Sequence, residues 1–273
     1  MPLLQNSEVE LNKIYCMDCL EFAKSILDSK VDLIYIDPPF FTNRTFKDYN
    51  DSWSNSKEYL LWLNPILKEC HRVLKSSGSI YVHCDWHINY GIRVLLEKIF
   101  KNGLINEIAW CYKGGNSKKR YRQKHDTIYI FSKSDKYIFN YDDVRITYSE
   151  AILKGAKTDT EGRLYYQTGQ NSSGKVYLHD KGQLLYDYWL DIPSTTTSHG
   201  KEFIGYDTQK PEKLLERVIR CSSDEGDVVM DCFLGSGTTA VVAKKLNRKY
   251  LGCDSNPRSI EISSKRLSYI EDN

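Results

Sequence analysis

Four consecutive residues, Asp37, Pro38, Pro39 and Phe40, are the first in the chain whose types and order suggest chemistry. The two prolines have no backbone N–H, fix their own φ and push the residue before each toward extended geometry. They make a stiff corner that holds one carboxylate, two unencumbered carbonyls and one aromatic ring. The same four residues also read as a simple turn leaving a strand. A second stretch far downstream tips that balance. It runs Asp231, Cys232, Phe233, Leu234, Gly235, Ser236, Gly237, Thr238, Thr239. Its glycines let backbone approach a ligand closely, and the helix expected after it offers free N–H groups.

The glycine turn is not a phosphate loop of the Walker type, because the Gly-Lys-Ser/Thr ending is missing. Its G-x-G-x-x-A spacing, with Asp254 at the end of the next strand, fits a nicotinamide or flavin dinucleotide. S-adenosylmethionine asks for much the same geometry: a glycine turn and a carboxylate for the ribose hydroxyls. It carries no pyrophosphate, so the turn can hold an acid of its own, and Asp231 suits the cationic methionine end. Two cysteine and histidine clusters are read differently. Cys16 and Cys19 form one CxxC without a second pair at zinc-ribbon spacing, and His83, Cys84 and His87 read as strand-end residues, so no metal is expected.

These groups need elements to hold them. Residues 31–36 are an apolar run interrupted by Asp32, which predicts a buried strand starting near Leu33 and ending on Asp37. Ligand chemistry in open α/β sheets sits outside the carboxyl ends of such strands. A strand over 12–16 leads through Asp18 and Cys19 into a helix over 20–27, a common setting for a ribose or base contact. Residues 41–56 read as a mobile loop over a site, since Phe46, Tyr49 and Trp53 need something to pack on. An amphipathic helix spans 57–74, with Pro65 as a point for a kink. Strand 79–83, helix 91–100 and strands 104–111 and 126–132 follow. Thr208 caps a helix over 212–221 with Pro211 in its first turn. Strand 227–230, the glycine turn, a helix to 246 and strand 250–253 complete the pattern. Repeated strand-helix-strand order predicts an α/β fold with a doubly wound, mostly parallel sheet.

Residues 137–192 lose that alternation. They are rich in Tyr, Gly, Thr, Gln and Asp, with short β-like pieces at 163–167 and 175–178. They predict an inserted subdomain of turns and short strands between segments 1–136 and 193–273. The stretch 113–124 carries Lys113, Lys118, Lys119, Arg120, Arg122 and Lys124 and no acid, flanked by Tyr112 and Tyr121. It reads either as a solvated hairpin tip or as a phosphate-contacting loop beside a stacking aromatic. The net charge of +2 excludes a global basic field, so any nucleic-acid contact must be a local patch. No run is long and apolar enough to span a bilayer, and eight scattered cysteines suit reduced thiols in cytoplasm.

Taken in order, the landmarks IYCMDC, IDPPF, GSIYVH, EIAWCYKGG, HDTIYIFSK, TQKPEKLLERVI, DVVMDCFLGSGTT and YLGCDSNP resemble a DNA amino-methyltransferase of the permuted beta arrangement. The resemblance covers nearly all of the chain outside the first dozen residues and the insert. It implies a Rossmann-like methyltransferase core with circularly permuted motifs and S-adenosyl-L-methionine as cofactor. It makes Asp37, Pro38, Pro39 and Phe40 the catalytic motif. It assigns Asp18 and Cys19 to the adenine ring of the cofactor, Asp254 to the ribose, and Lys210 beside Pro211 to the methionine moiety. Asp37, Asp231, Phe233, Gly235, Gly237, Thr238 and Thr239 complete the cofactor site. DNA-binding residues would be Tyr112, Lys113, Lys118, Lys119, Arg120 and Arg122, with target recognition in the insert. The implied partners are duplex DNA with a flipped target base, a second copy of the chain and a cognate restriction endonuclease.

The chemistry agrees with that resemblance. An exocyclic base amine is a poor nucleophile because its lone pair is delocalised into the ring. Asp37 and the Pro38 carbonyl can accept its two hydrogens and leave the lone pair facing the methyl donor, with Phe40 stacked on the flipped base. A carbon-5 cytosine enzyme would need a Pro-Cys nucleophile, which the chain lacks. Related protein-glutamine enzymes use NPPY and place the glycine motif first. An acid at the first motif position is typical of N6-adenine enzymes, and N4-cytosine is the alternative. A dinucleotide-dependent oxidoreductase and a DNA-binding module without catalysis are the readings from other classes.

Overall fold

The computed structural model describes residues 9–44, 51–113, 117–167, 174–195 and 202–270. The elements begin with β1 (Lys13–Cys16), α1 (Cys19–Lys24), β2 (Val31–Ile36), α2 (Ser56–Val73), β3 (Leu74–Cys84), α3 (Asn89–Phe100), β4 (Leu104–Cys111) and β5 (His125–Ser132). Then come α4 (Glu150–Gly155), β6 (Lys157–Thr158), β7 (Leu164–Gln167), β8 (Lys175–Tyr177) and β9 (Tyr188–Trp189). The last are α5 (Glu212–Ser222), β10 (Val228–Asp231), α6 (Thr238–Lys245), β11 (Lys249–Asp254) and α7 (Pro257–Ser268).

One sheet carries the order β1-β11-β10-β2-β3-β5-β4-β9. Its strands are parallel except at β5, which runs antiparallel to both β3 and β4. Side chains alternate between the two faces. Ile80, Val82 and Cys84 of β3 join a core with Leu63, Ile66, Leu67 and Cys70 of α2 and Ile92 and Leu96 of α3. Tyr81, between them, turns the other way and meets Ser222 of α5 at 2.7 Å. Helices therefore cover both faces, as a doubly wound sheet requires. The register Met230↔Ile34 sets β10 beside β2, and Cys16↔Asp254 sets β1 beside β11. The carboxyl ends of four strands thus meet, although their residues lie at opposite ends of the chain.

Local chemistry fixes where several elements start. β2 begins at Val31, two residues before the expected start, with Asp32 inside it and 3% exposed. Its buried carboxylate is tolerated because it has partners: Lys75 Nζ at 2.7 Å and the Val228 N–H at 2.9 Å. Asn55 caps α2 by accepting the Glu58 N–H at 3.0 Å, while Glu58 accepts the Ser54 N–H in return. The helix continues through Pro65. At α5 the cap position is Pro211 and has no side-chain cap, so Thr208 does not cap it as expected. The Glu202 carboxylate accepts the Glu212 N–H instead.

The chain divides into two compact units, Met1–Phe139 with Asp187–Asn273, and Asn140–Tyr186. The second contains a 3-10 turn (Tyr141–Val144), α4 and the antiparallel strands β6-β7-β8. The segment expected as an insert, 137–192, is therefore trimmed at both ends. Residues 187–192 belong to the main unit because β9 pairs with β4 and Ile192 accepts the Trp110 indole N–H at 2.8 Å. α4 was also not anticipated. Its N-cap Ser149 accepts the Ile152 N–H at 3.3 Å.

Candidate active site

A cavity of about 790 Å³ opens at the carboxyl ends of β1, β11, β10 and β2. Asp18, Cys19, Asp37, Pro38, Pro39, Phe40, Lys210, Asp231, Phe233, Gly235, Thr238, Thr239 and Asp254 all line it. Two motifs almost two hundred residues apart thus face one space.

The Asp37 corner follows directly from β2. One carboxylate oxygen, Oδ2, forms an ion pair with Lys210, whose ammonium also lies 5.2 Å from the Phe40 ring centroid. The other, Oδ1, is buried and has no hydrogen-bond partner among the described residues. A buried acceptor with no donor is costly, and such atoms mark places where a ligand supplies the missing group. Phe41, next in the chain, has φ of 59°, a left-handed conformation that is strained for a bulky residue. Fully buried Asp51 holds it there: its carboxylate accepts the N–H groups of Phe41 and Thr42, each at 2.8 Å, and the Thr42 hydroxyl at 2.6 Å. Both described ends of the segment expected as a mobile loop are thereby pinned. Phe46 and Tyr49 lie outside the described residues.

The glycine turn is held by carboxylates. Asp231 accepts the Phe233 N–H at 2.9 Å and the Thr239 hydroxyl at 2.6 Å. Burial pushes its pKa up to about 7, with the charges of Asp37 and Asp254 adding to the effect and the two hydrogen bonds opposing it. Asp254 accepts the Gly235 and Asn256 N–H groups, each at 2.8 Å. Asp18 caps α1 by accepting the Leu20 and Glu21 N–H groups. The two glycines differ. Gly235 borders the cavity, and its φ of 52° favours glycine, but a Cβ there would make only ordinary contacts, the nearest with Tyr206 at 3.4 Å. Gly237, with φ of 79°, does not line the cavity. A Cβ there would fall 2.5 Å from Ser263 Oγ, so its lack of a side chain admits the close approach of α7.

A family described as DNA methylase matches residues 31–265. The chain belongs to this family. The methylase is 32% identical to the Type II methyltransferase M1.MboII of Moraxella bovis, over 97% of its own length and 100% of the relative's. It is 34% identical to the DNA adenine methyltransferase YhdJ of Escherichia coli (strain K12), over 92% and 80% of the two chains. Among solved structures, the cytosine-N4-specific PvuII DNA methyltransferase superposes with a TM-score of 0.66 at 21% identity, covering 95% of this chain and 86% of that one. The M1.HpyAVI–SAM complex superposes with a TM-score of 0.59 at 22% identity, covering 93% and 98%. At these identities the two structures establish the shared fold.

Several residues of the methylase site were not anticipated. Trp53 and Trp62 line the cavity, their rings tilted against each other with centroids 4.8 Å apart, and Trp62 is edge-on to Phe233 at 5.8 Å. Trp53 stood out only as an aromatic in need of packing, and Trp62 looked like one more residue of an amphipathic helix. Tyr206 also borders the cavity and bonds to Ser259 at 2.9 Å. No local pattern marks it.

The basic stretch sits at the tip of the β4–β5 hairpin, where the Tyr112 N–H bonds to the Lys124 carbonyl at 3.0 Å. Lys113, Lys118, Lys119, Arg120 and Arg122 are exposed. Tyr112 is not. It turns inward, donates its hydroxyl to Asp126 at 2.8 Å, and burial raises its pKa. Tyr121, 98% exposed, is the aromatic that this tip presents to solvent.

Proposed function

We propose that this DNA methylase transfers a methyl group to the N6 amine of adenine within a specific DNA sequence, with the motif order of the permuted beta arrangement. The observation that carries the reading is Asp37: a carboxylate at the end of a central strand, with one oxygen tethered to Lys210 and the other buried without a donor. An exocyclic amine supplies the donor that Oδ1 lacks. The Pro38 carbonyl is the candidate acceptor for the second amine hydrogen, and Phe40 the stacking surface for the extruded base. Lys210 fixes the carboxylate's orientation from the side away from that hydrogen.

The cofactor, S-adenosyl-L-methionine, supplies an electrophilic methyl group on a sulfonium. The residues present suit it. The cavity volume lies within the usual range for such ligands. Phe233, Trp53 and Trp62 offer apolar surface for an adenine ring, and Asp254 and Asp18 sit at strand ends where ribose and base contacts are made. Asp231, whose pKa burial raises to about 7, gains a counter-charge from a cationic ligand. Lys210, Gly235, Thr238 and Thr239 complete the site, and Gly237 shapes the turn behind it.

Adenine is favoured over N4-cytosine by the acid that opens the catalytic motif and by the 34% identity to an enzyme named as an adenine methyltransferase. The exposed cations at the hairpin tip are the candidate phosphate contacts, and the unit Asn140–Tyr186 the candidate target-recognition region. Association as a homodimer and pairing with a cognate restriction endonuclease belong to the same proposal. The test is methylation of duplex DNA with labelled cofactor, followed by digestion and mass spectrometry of the nucleosides. N6-methyldeoxyadenosine is expected, and N4-methyldeoxycytidine as the product would replace adenine by cytosine.

A further inference from the structure

Behind the Asp37 corner lies a buried polar group that this mechanism leaves without a role. His83, near the end of β3, is fully buried. Its Nε2 lies 3.1 Å from Asp126 Oδ2. Its Nδ1 lies 2.8 Å from the Tyr35 hydroxyl and 3.8 Å from Asp37 Oδ1. The rings of Phe40 and Trp110 each stand 5.5 Å from the imidazole.

The partners determine which nitrogen carries the hydrogen. A carboxylate only accepts, so Nε2 must donate to Asp126. Asp126 is held as a carboxylate: its two oxygens accept from His83 Nε2 and the Tyr112 hydroxyl, and although burial pushes its pKa up, these hydrogen bonds and the nearby Lys210 charge favour the ionised form. A neutral ring then presents a lone pair at Nδ1, met by the Tyr35 hydroxyl. Asp37 Oδ1 therefore faces a second acceptor across 3.8 Å with no hydrogen between them. That accounts for an oxygen without a partner among the described residues. A single proton placed on Asp37 Oδ1 converts the two opposed lone pairs into a donor and an acceptor.

We propose that His83, with Asp126 as its counter-charge, is the positioning residue that takes over from Asp37 the proton released by the methylated amine. This rests on the amine-methyltransferase reading above. In the transfer, the amine lone pair forms the new N–C bond, and the pair of the breaking S–C bond stays on sulfur. The nitrogen then carries one hydrogen too many. Its N–H bond breaks, the electron pair returns to nitrogen, and the proton goes to Asp37 Oδ1. From there it passes to His83 Nδ1, restoring the carboxylate. The resulting imidazolium lies between the carboxylates of Asp126 and Asp37 and loses its proton to solvent when products leave. The Tyr35 hydroxyl donates to Nδ1 before transfer and can accept from it afterwards.

The titratable and charged groups around the imidazole are Tyr35 of β2, Asp37 with its partner Lys210, and Asp126 of β5 with its donor Tyr112. Asp85, just beyond β3, senses Asp126. The experiment is single-turnover methyl transfer against pH, with saturating cofactor and DNA, for wild type, His83→Gln and Asp126→Asn, beside a cofactor titration of each. Gln keeps a donor toward Asp126 but cannot take up a proton. We expect His83→Gln to be roughly 10²-fold slower, at the low end for a positioned proton acceptor. It should lose the acidic limb of the wild-type profile and keep its cofactor affinity. Asp126→Asn, which leaves an acceptor for Nε2 but removes the charge, should move that limb to lower pH. If His83→Gln does not fold, Asp126→Asn decides alone. A wild-type pH profile in either folded variant overturns the relay while leaving the methyltransferase reading intact. A wild-type protein that methylates no DNA amine overturns both.

Discussion

Asp231 makes cofactor binding depend on pH in a direction that the structure sets. Burial raises its pKa to about 7, so near neutrality the free protein holds it protonated about half of the time. A bound cation favours the carboxylate and pulls the pKa back toward the ordinary value. Binding must then release a proton, and affinity must rise with pH below about 7. If the full shift were reversed, about three pKa units at about 1.36 kcal/mol each set a ceiling of about 4 kcal/mol. Between pH ~5 and pH ~7 the affinity for S-adenosylmethionine should therefore climb by up to tenfold per pH unit. The measurement is isothermal titration in two buffers of different ionisation heat at about pH 6, which counts the protons released. Close to one per cofactor is expected for wild type and none for Asp231→Asn, in which the amide can still accept the Phe233 N–H. S-adenosylhomocysteine, which lacks the sulfonium charge, should release fewer. The same proton count in wild type and Asp231→Asn would refute the reasoning. The sign for stability follows from the same shift. A carboxyl with a raised folded pKa contributes most below its unfolded value, and that contribution is lost as pH rises through about 7.

Three further outcomes are expected. Asp37→Ala should lower single-turnover methylation by roughly 10²–10⁴-fold, with cofactor affinity changing by less than about tenfold; Asp37→Asn should lie closer to Ala than to wild type, and near-normal transfer by either would exclude the carboxylate from the chemistry. Gly237→Ala combines a positive φ with a contact at 2.5 Å from Ser263 Oγ, so urea unfolding should show it destabilised by roughly 1–3 kcal/mol; loss of cofactor affinity at unchanged stability would return Gly237 to the binding surface. Replacing Lys118, Lys119, Arg120 and Arg122 by Ala should weaken binding to all DNA sequences alike and flatten the log–log salt dependence by about one unit per lost phosphate contact. An unchanged slope would leave the hairpin tip as a solvated loop.

The chain order of strands, helices and the two motifs was legible in the sequence because each rests on short-range physics. Prolines stiffen the Asp37 corner, glycines open the turn after Asp231, and apolar periodicity marks the strands and helices between them. The candidate site residues came partly from these motifs and partly from the family resemblance, and thirteen of them line one cavity. The sequence also carried the family, since the landmarks span most of the chain. What it could not carry were effects that depend on partners far along the chain. Asp32 looked like a break in β2, and only Lys75 and the Val228 N–H make its burial affordable. Gly237 looked like Gly235, and only the approach of Ser263 from α7 separates their roles. Tyr112 looked like a stacking aromatic beside the basic loop, yet its hydroxyl is turned inward onto Asp126. His83 was one letter in a strand. Its place between Asp126, Tyr35 and Asp37 exists because an antiparallel β5 lies beside β3 while β2 lies on the other side. Local patterns determine which groups the chain has. Sheet order decides which of them meet, because contacts across strands join residues that no sequence window contains.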